Sequence, residues 1–263
     1  GEEATGYIAA CTGGTHAPKQ DMVIGLEEDL TSLEFYNRSL YDVDEACYAK
    51  FLSSDKYEIV DYKIHEVSEY INWIYFFHAW GFQPKFAAIA DIHGCDSCRA
   101  MWLTSFTEED RPKASEAMQL FKEANRMLNQ LDAVYQTHGV VNIMDANADG
   151  DDLLLNGKRF PLLRQQAAKL KKDDPFLCLS DFVRPLSSGI TDKIGAFATT
   201  VDAEMEQLYA EDDYKRMLAQ TLSDRLAEAT AEKLHEDVRK KLWGYAPDEN
   251  LSVKDLHNEK YQG

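Results

Sequence analysis

From Asp212 to Asn250 the chain reads DDYKRMLAQTLSDRLAEATAEKLHEDVRKKLWGYAPDEN, a helix-forming run that meets no glycine or proline before Gly244 and Pro247. Those two residues are the breakers expected just past a helix C-terminus. If continuous, the helix is roughly 45 Å long at about 1.5 Å per residue. Asp224, Glu228 and His235 recur along it at helical spacing and project from nearly the same side. Like charges one turn apart cost a helix a few tenths of a kcal/mol. Either His235 and solvent relieve them or a partner uses them; a solvated face is the ordinary reading of such a pair.

The rest of the chain divides by periodicity. The first fifty or so residues mix a Gly/Thr-rich segment, CTGGTHAPKQD, with a more periodic stretch from Met22 to Phe51, which predicts an irregular arm followed by short helices. Between Ile64 and His78, Ile64, Val67, Ile71 and Ile74 recur at three and four with Tyr75, Phe76 and Phe77 among them, the pattern of a buried helix. Ala117, Phe121, Ala124, Leu128 and Leu131 predict a second, amphipathic helix. From Val140 to Thr200 short apolar runs (VVNIM, DLLL, FLCL, GAFATT) alternate with Asp-Gly, Asn-Gly and Ser-Gly, which are strand and turn signals. Strands held between helical blocks without regular alternation favour an α+β fold over a doubly wound sheet.

Composition removes several function classes. With 46 acidic and 28 basic residues the net charge is -18, which repels a phosphate backbone, so nucleic acid is not an expected partner. No apolar run approaches the ~20 residues that span a bilayer, and the N-terminus lacks the blocks of a signal peptide. A cytoplasmic protein with no membrane partner is expected. Cys11, Cys47, Cys95, Cys98 and Cys178 are odd in number and irregularly spaced, which suits free thiols in a reducing compartment.

Three local motifs point toward other chemistries. Asp145-Ala-Asn147-Ala-Asp149-Gly150 imitates the opening of an EF-hand loop, but Asn156 stands where the bidentate acid belongs and a strand-like run replaces the entering helix. A solvated hairpin turn is the expectation. His93-Gly-Cys95-Asp-Ser-Cys98 places three soft ligands within six residues. No second Cys or His pair stands at finger-like distance, so a metal would need a remote fourth ligand such as His78 or Cys47, and none is assigned. Neither GxGxxG nor GxxxxGK[ST] occurs, which disfavours a nucleotide-fuelled reaction.

The string DRLAEATAEKLHEDVRKKLWGYAPDENLS and the closing NEKYQG resemble the S-adenosylmethionine-binding activation domain of cobalamin-dependent methionine synthase. YINWIYFFHAW (Tyr70 to Trp80), LFKEANRMLNQL (Leu120 to Leu131), GVVNIMDANADGDDL (Gly139 to Leu153), LRQQ (Leu163 to Gln166) and DFVRPLSSGITDKIGAFATT (Asp181 to Thr200) follow that domain in the same order. The resemblance covers residues 56–263 and leaves 1–55 as an accessory arm. Residues 82–112 look like an insertion. It implies long helices around a small, mainly antiparallel sheet, with the C-terminal part of the usual domain missing.

Function follows from the resemblance as an expectation. The domain would bind S-adenosylmethionine and dock on the cobalamin-binding domain when the cofactor is oxidised to cob(II)alamin; an electron from flavodoxin or a reductase then permits remethylation. Such a chain is part of a methyltransferase of methionine biosynthesis and not a complete enzyme by itself, so it carries no catalytic residue of its own. Asn72 stands where the family uses an acid to hold the ligand's amino group. Its amide oxygen can accept that hydrogen bond but lacks the charge assistance that makes such bonds roughly twice as strong. Glu259 matches a carboxylate near the bound ligand. Asp224 and Glu228 match an acidic pair that faces the cobalamin domain, where carboxylates favour a protonated imidazole. The family's Arg-Pro-Ala-Pro-Gly-Tyr-Pro motif, whose arginine grips the ligand carboxylate, would begin where this sequence stops. Weak or absent ligand binding by this polypeptide alone is therefore expected, either because the chain is truncated or because it is a naturally short relative. In the second case it would be a degenerate docking or scaffold protein for a corrinoid partner.

Overall fold

The computed structural model describes residues 5–9, 56–166 and 175–261. Its strands are β1 (Thr5–Ala9), β2 (Lys56–Lys63), β3 (Gln136–Asp149), β4 (Asp152–Leu155), β5 (Lys158–Phe160) and β6 (Asp192–Val201). The α-helices are α1 (Ile64–Ser68), α2 (Trp73–Ala79), α3 (Asp96–Thr104), α4 (Arg111–Asp132), α5 (Asp213–Asp237) and α6 (Val253–His257). Among the described residues the strands form one sheet in the order β1-β6-β3-β4-β5, with β2 also paired to β3. The hairpins β3-β4 and β4-β5 are antiparallel. Two compact units divide the chain, one built mainly from 60–139 and 199–233, the other from 140–198 and 234–261; β1, β2, β3, β6 and α5 contribute residues to both.

In the first unit α4 has the amphipathic period expected of it. Ala114, Ala117, Leu120, Ala124, Met127, Leu128 and Leu131 are buried, at three- and four-residue steps that make one stripe. Small residues in that stripe let neighbours approach closely, and α1 and α3 both pack on it. Beside them runs a chain of aromatic rings: Phe77 and Phe82 lie 5.6 Å apart, Phe82 and Phe86 6.1 Å, Phe86 and Phe106 5.3 Å, and Phe106 and Trp102 4.8 Å. Most of these contacts are edge-to-face, the arrangement that the ring quadrupole prefers.

One expected helix is two. The run from Ile64 to His78 begins where β2 ends, forms α1, leaves the helix at a turn after Ser68, and restarts as α2 at Trp73. Ile64, Val67 and Ile71 are buried, but Ile74 is 49% exposed. The break follows from Asn72, whose side chain satisfies the backbone that opens α2 and so favours an initiation over a continuous helix.

In the second unit the turn chemistry sets the register. Gly150, at φ +62°, closes a two-residue turn in which Asp149 pairs with Asp152. Asn156 and Gly157, at φ +47° and +77°, close the next turn between Leu155 and Lys158; positive φ at both central residues is the hairpin geometry that Asn-Gly serves. The expected hairpin at Asp145 to Gly150 is thus narrower than the motif, since Asp145 to Asp149 finish β3. Their carboxylates face side-chain cations: Asp145 meets Lys193 at 2.7 Å and Asp149 meets Arg159 at 2.5 Å. Ala146, Ala148, Leu153, Leu155, Val183 and Ile194 form the core beneath the hairpin.

The run FLCL is not a strand. Leu177 exchanges hydrogen bonds with Gln165 in an extended loop, and a 3-10 turn begins at Leu179. Asp181 holds this turn by accepting the Cys178 amide and both Nη groups of Arg164. Polar ties of this kind from distant sequence are invisible to local periodicity. Of the expected arm, residues 5–9 form the strand beside β6; its remaining residues, with Cys11 and Cys47, lie outside the described residues.

Helix α5 is nearly the length expected. Asp212 starts it by accepting the Lys215 amide at 3.0 Å. Five residues of π-helix, Val238–Leu242, continue it after Asp237. Trp243 and Gly244 then both donate to the Val238 carbonyl, and Gly244 adopts φ +79°. That left-handed conformation is the stop that glycine permits.

Candidate functional site

Asn72 opens α2. With φ -80° and ψ 94° it sits at the N-cap, and its Oδ1 accepts the Ile74 amide at 3.2 Å. The helix then presents Ile74 and Tyr75 outward, 49% and 57% exposed. On α5, Leu222, Leu226 and Ala229 are buried, so Asp224 falls on the open side and Glu228 at its border. Arg225 connects the two helices: its Nη1 donates to Glu228 Oε2 at 2.7 Å, and its guanidinium carbon lies 5.9 Å from the centre of the Tyr75 ring. An aromatic face within about 6 Å of a guanidinium is a cation–π contact. The first unit thus links the Asn72-capped helix to the acidic pair through Arg225, which lies between the Tyr75 ring and Glu228.

His235 does not join that stripe. It is buried, stacked on Phe197 at 6.1 Å and edge-on to Tyr261 at 4.8 Å. Shared helical phase does not mean shared environment, because the chain closes over the helix at His235 and leaves it open at Asp224. Glu228 is paired with Arg225, three residues before it.

Glu259 belongs to the second unit. Its backbone turns left-handed at φ +55° immediately after α6, its amide donating to the Leu256 carbonyl at 2.9 Å, and its side chain is exposed. α6 is fixed by a capping box in which Ser252 Oγ accepts the Asp255 amide. Close by in sequence, Tyr261 covers the Arg239 guanidinium at 4.3 Å.

His93, Cys95 and Cys98 place their donor atoms within 4.8 Å of one another. Hydrogen bonds from Ser97 foremost, and from Cys98 and His93, hold the Cys95 thiol down at about 6, whereas the bond to Cys95 pushes the Cys98 thiol up.

A profile of the family described as vitamin B12 dependent methionine synthase, activation domain, matches residues 63–263. The chain belongs to that family. A crystal structure of the MetH reactivation domain bound to AdoHcy is 36% identical and superposes with a TM-score of 0.67 over 81% of this chain and 64% of that one. The chain thus spans less than two thirds of the length of that activation domain, and the α+β fold expected from the sequence is the fold they share. The two side chains missed at the sequence level are Tyr75 and Arg225. Arg225 had a signal in its three-residue spacing from Glu228; Tyr75 had none, because an aromatic in an apolar run reads as core.

Proposed function

We propose that the chain acts as the reactivation module of a cobalamin-dependent methionine synthase, binding S-adenosylmethionine and docking on the cobalamin-binding domain in a cytoplasmic setting. The observation that carries this reading is the exposed Tyr75, linked through Arg225 to Glu228, one turn from the exposed Asp224. An open aromatic linked in this way to carboxylates suits a partner that presents a cationic imidazole with apolar surroundings. Asp224 and Glu228 would face that partner; the roles that the family resemblance gives Asn72 and Glu259 are those of ligand-side residues, each taken within its own unit. The partner's cobalamin and the ligand's methyl group supply the chemistry, a one-electron reduction by flavodoxin or a reductase followed by methyl transfer; this chain supplies orientation and a matched field.

A second reading has its own support. Asn72 spends its oxygen on the Ile74 amide, so it fits the ligand's ammonium less well than a carboxylate, whose second oxygen would remain available. A relative that keeps the docking surface and has given up the ligand would show this pattern. Two titrations separate the readings. Binding to a cobalamin-loaded partner domain together with calorimetric binding of S-adenosylmethionine or AdoHcy supports the reactivation module. Partner binding without ligand binding supports the scaffold, and absence of both removes the proposal.

A further inference from the structure

The cluster at the start of α3 does not depend on the rest of the site. Cys95 is the N-cap of α3 and Cys98 its third residue, the two positions that exchange side-chain to backbone hydrogen bonds in a capping box. The Cys98 amide donates to Cys95 Sγ at 3.3 Å, and Ser97 Oγ lies 3.1 Å from the same sulfur. A bend at Gly94 folds His93 back, so that an imidazole nitrogen and both sulfurs lie within 4.8 Å of one another. The cysteines are half-buried and His93 is exposed, which leaves an entry path from solvent.

We propose that His93, Cys95 and Cys98 form a binding site for a soft d10 metal ion of the zinc type, with one nitrogen and two thiolate ligands and a fourth position left to solvent. Thiolate and imidazole are the donors such ions select. The spread of the donor atoms is somewhat wider than the edge of a tetrahedron with Zn–S about 2.3 Å and Zn–N about 2.0 Å, and side-chain rotation at three surface-accessible residues closes it. An N–H and a hydroxyl already directed at Cys95 Sγ are the outer-shell hydrogen bonds that orient and stabilise a metal thiolate. Arg99, whose guanidinium lies 3.6 Å from Asp96 and borders Gly94, adds a positive charge that offsets thiolate charge nearby. Sequence spacing argued against a metal because a fourth ligand was required. Among the described residues no fourth protein donor joins the three, and a site with three protein ligands and a water is complete in another way. A disulfide between the cysteines is the competing use of this geometry, but it gives no role to the convergent histidine. Binding releases thiol protons, so affinity rises with pH.

The test uses the whole reduced chain, titrated anaerobically with Co2+ and then with Zn2+. One Co2+ per chain, with thiolate-to-cobalt charge-transfer absorption displaced stoichiometrically by Zn2+, is expected. Cys95→Ser and Cys98→Ser should each lose that absorption, while His93→Gln should weaken Co2+ binding by at least about tenfold, as even outer-shell partners of a metal cost 10–100-fold. Serine is itself a strong N-cap, so Cys95→Ser keeps α3, and circular dichroism of the variant confirms this. Cys178→Ser should leave the titration unchanged. Absorption that persists in the Cys95→Ser/Cys98→Ser double variant, an unaltered affinity in His93→Gln, or a chain that binds no Co2+ and oxidises to a Cys95–Cys98 disulfide would each overturn the assignment.

Discussion

Arg239 and Glu249 form a two-point ion pair largely shielded from solvent: Nε to Oε2 is 2.8 Å, Nη2 to Oε1 is 2.7 Å, and the side chains are 0% and 8% exposed. The pair ties the π-helical end of α5 to the loop before α6, and Tyr261 covers the guanidinium. Desolvation of such a pair consumes much of its attraction, but removing one partner strands the other charge in a dry site. Glu249→Ala is therefore expected to cost about 3–5 kcal/mol in urea unfolding. A double replacement, Arg239→Met with Glu249→Leu, should cost clearly less. Equal losses would show that packing, and not the stranded charge, sets the value.

Asn72 offers a substitution that separates structure from ligand recognition. Asn72→Ala removes the α2 cap and should lower stability by about 1 kcal/mol. Asn72→Asp keeps the cap, because a carboxylate accepts the Ile74 amide equally well, and adds the charge that an ammonium group would meet. If the position faces the ligand, Asp tightens calorimetric binding of S-adenosylmethionine with stability unchanged. Identical affinities for Asn and Asp would remove Asn72 from the ligand site.

The parts of this fold legible in the sequence were those set by local rules. α4 follows its apolar stripe, the β3-β4-β5 turns follow Asp-Gly and Asn-Gly, and the π-helical turn that continues α5 stops just before Gly244. What escaped depends on contacts between distant residues. His235 shares the helical phase of Asp224, yet Phe197 and Tyr261 bury it; Phe176 to Leu179 have strand composition, yet Asp181 and Arg164 hold that stretch as a loop and turn. The acidic pair was legible as a pattern, whereas its link through Arg225 to Tyr75 required the break at Asn72 that turns α2 outward.

His138 lies between two carboxylates, with Nδ1 2.7 Å from Asp61 and Nε2 2.9 Å from Asp202. The bond to Asp61 foremost, and the bond to Asp202, raise its pKa above the ordinary 6.5 against the opposing effect of burial. A raised folded pKa means that the folded state holds the proton more tightly than the unfolded state does. The stabilisation is therefore complete below about 6.5 and is lost as pH rises through the folded value. Urea midpoints should fall from pH 6 to pH 8 in the parent and stay flatter in His138→Gln. The same slope in both proteins would assign the pH dependence elsewhere.

Asp224 and Glu228 are the residues on which the docking proposal can be tested with least damage to the fold. Asp224 is exposed, and the Glu228–Arg225 pair, at 40% and 18% side-chain exposure, sits at the border of solvent. Surface pairs contribute about 0–1 kcal/mol, so Asp224→Lys with Glu228→Lys should unfold within about 1 kcal/mol of the parent. Association with a cobalamin-loaded partner domain should slow and weaken by about tenfold or more at low salt, because opposed charges now repel during approach. The deficit should shrink as ionic strength rises and screening shortens the reach of those charges. Tyr75→Ala, which leaves the charges in place, should weaken the complex mainly through faster dissociation, since it removes contact area and not long-range attraction. If charge reversal leaves both the rate and its salt dependence unchanged, the carboxylates face only water.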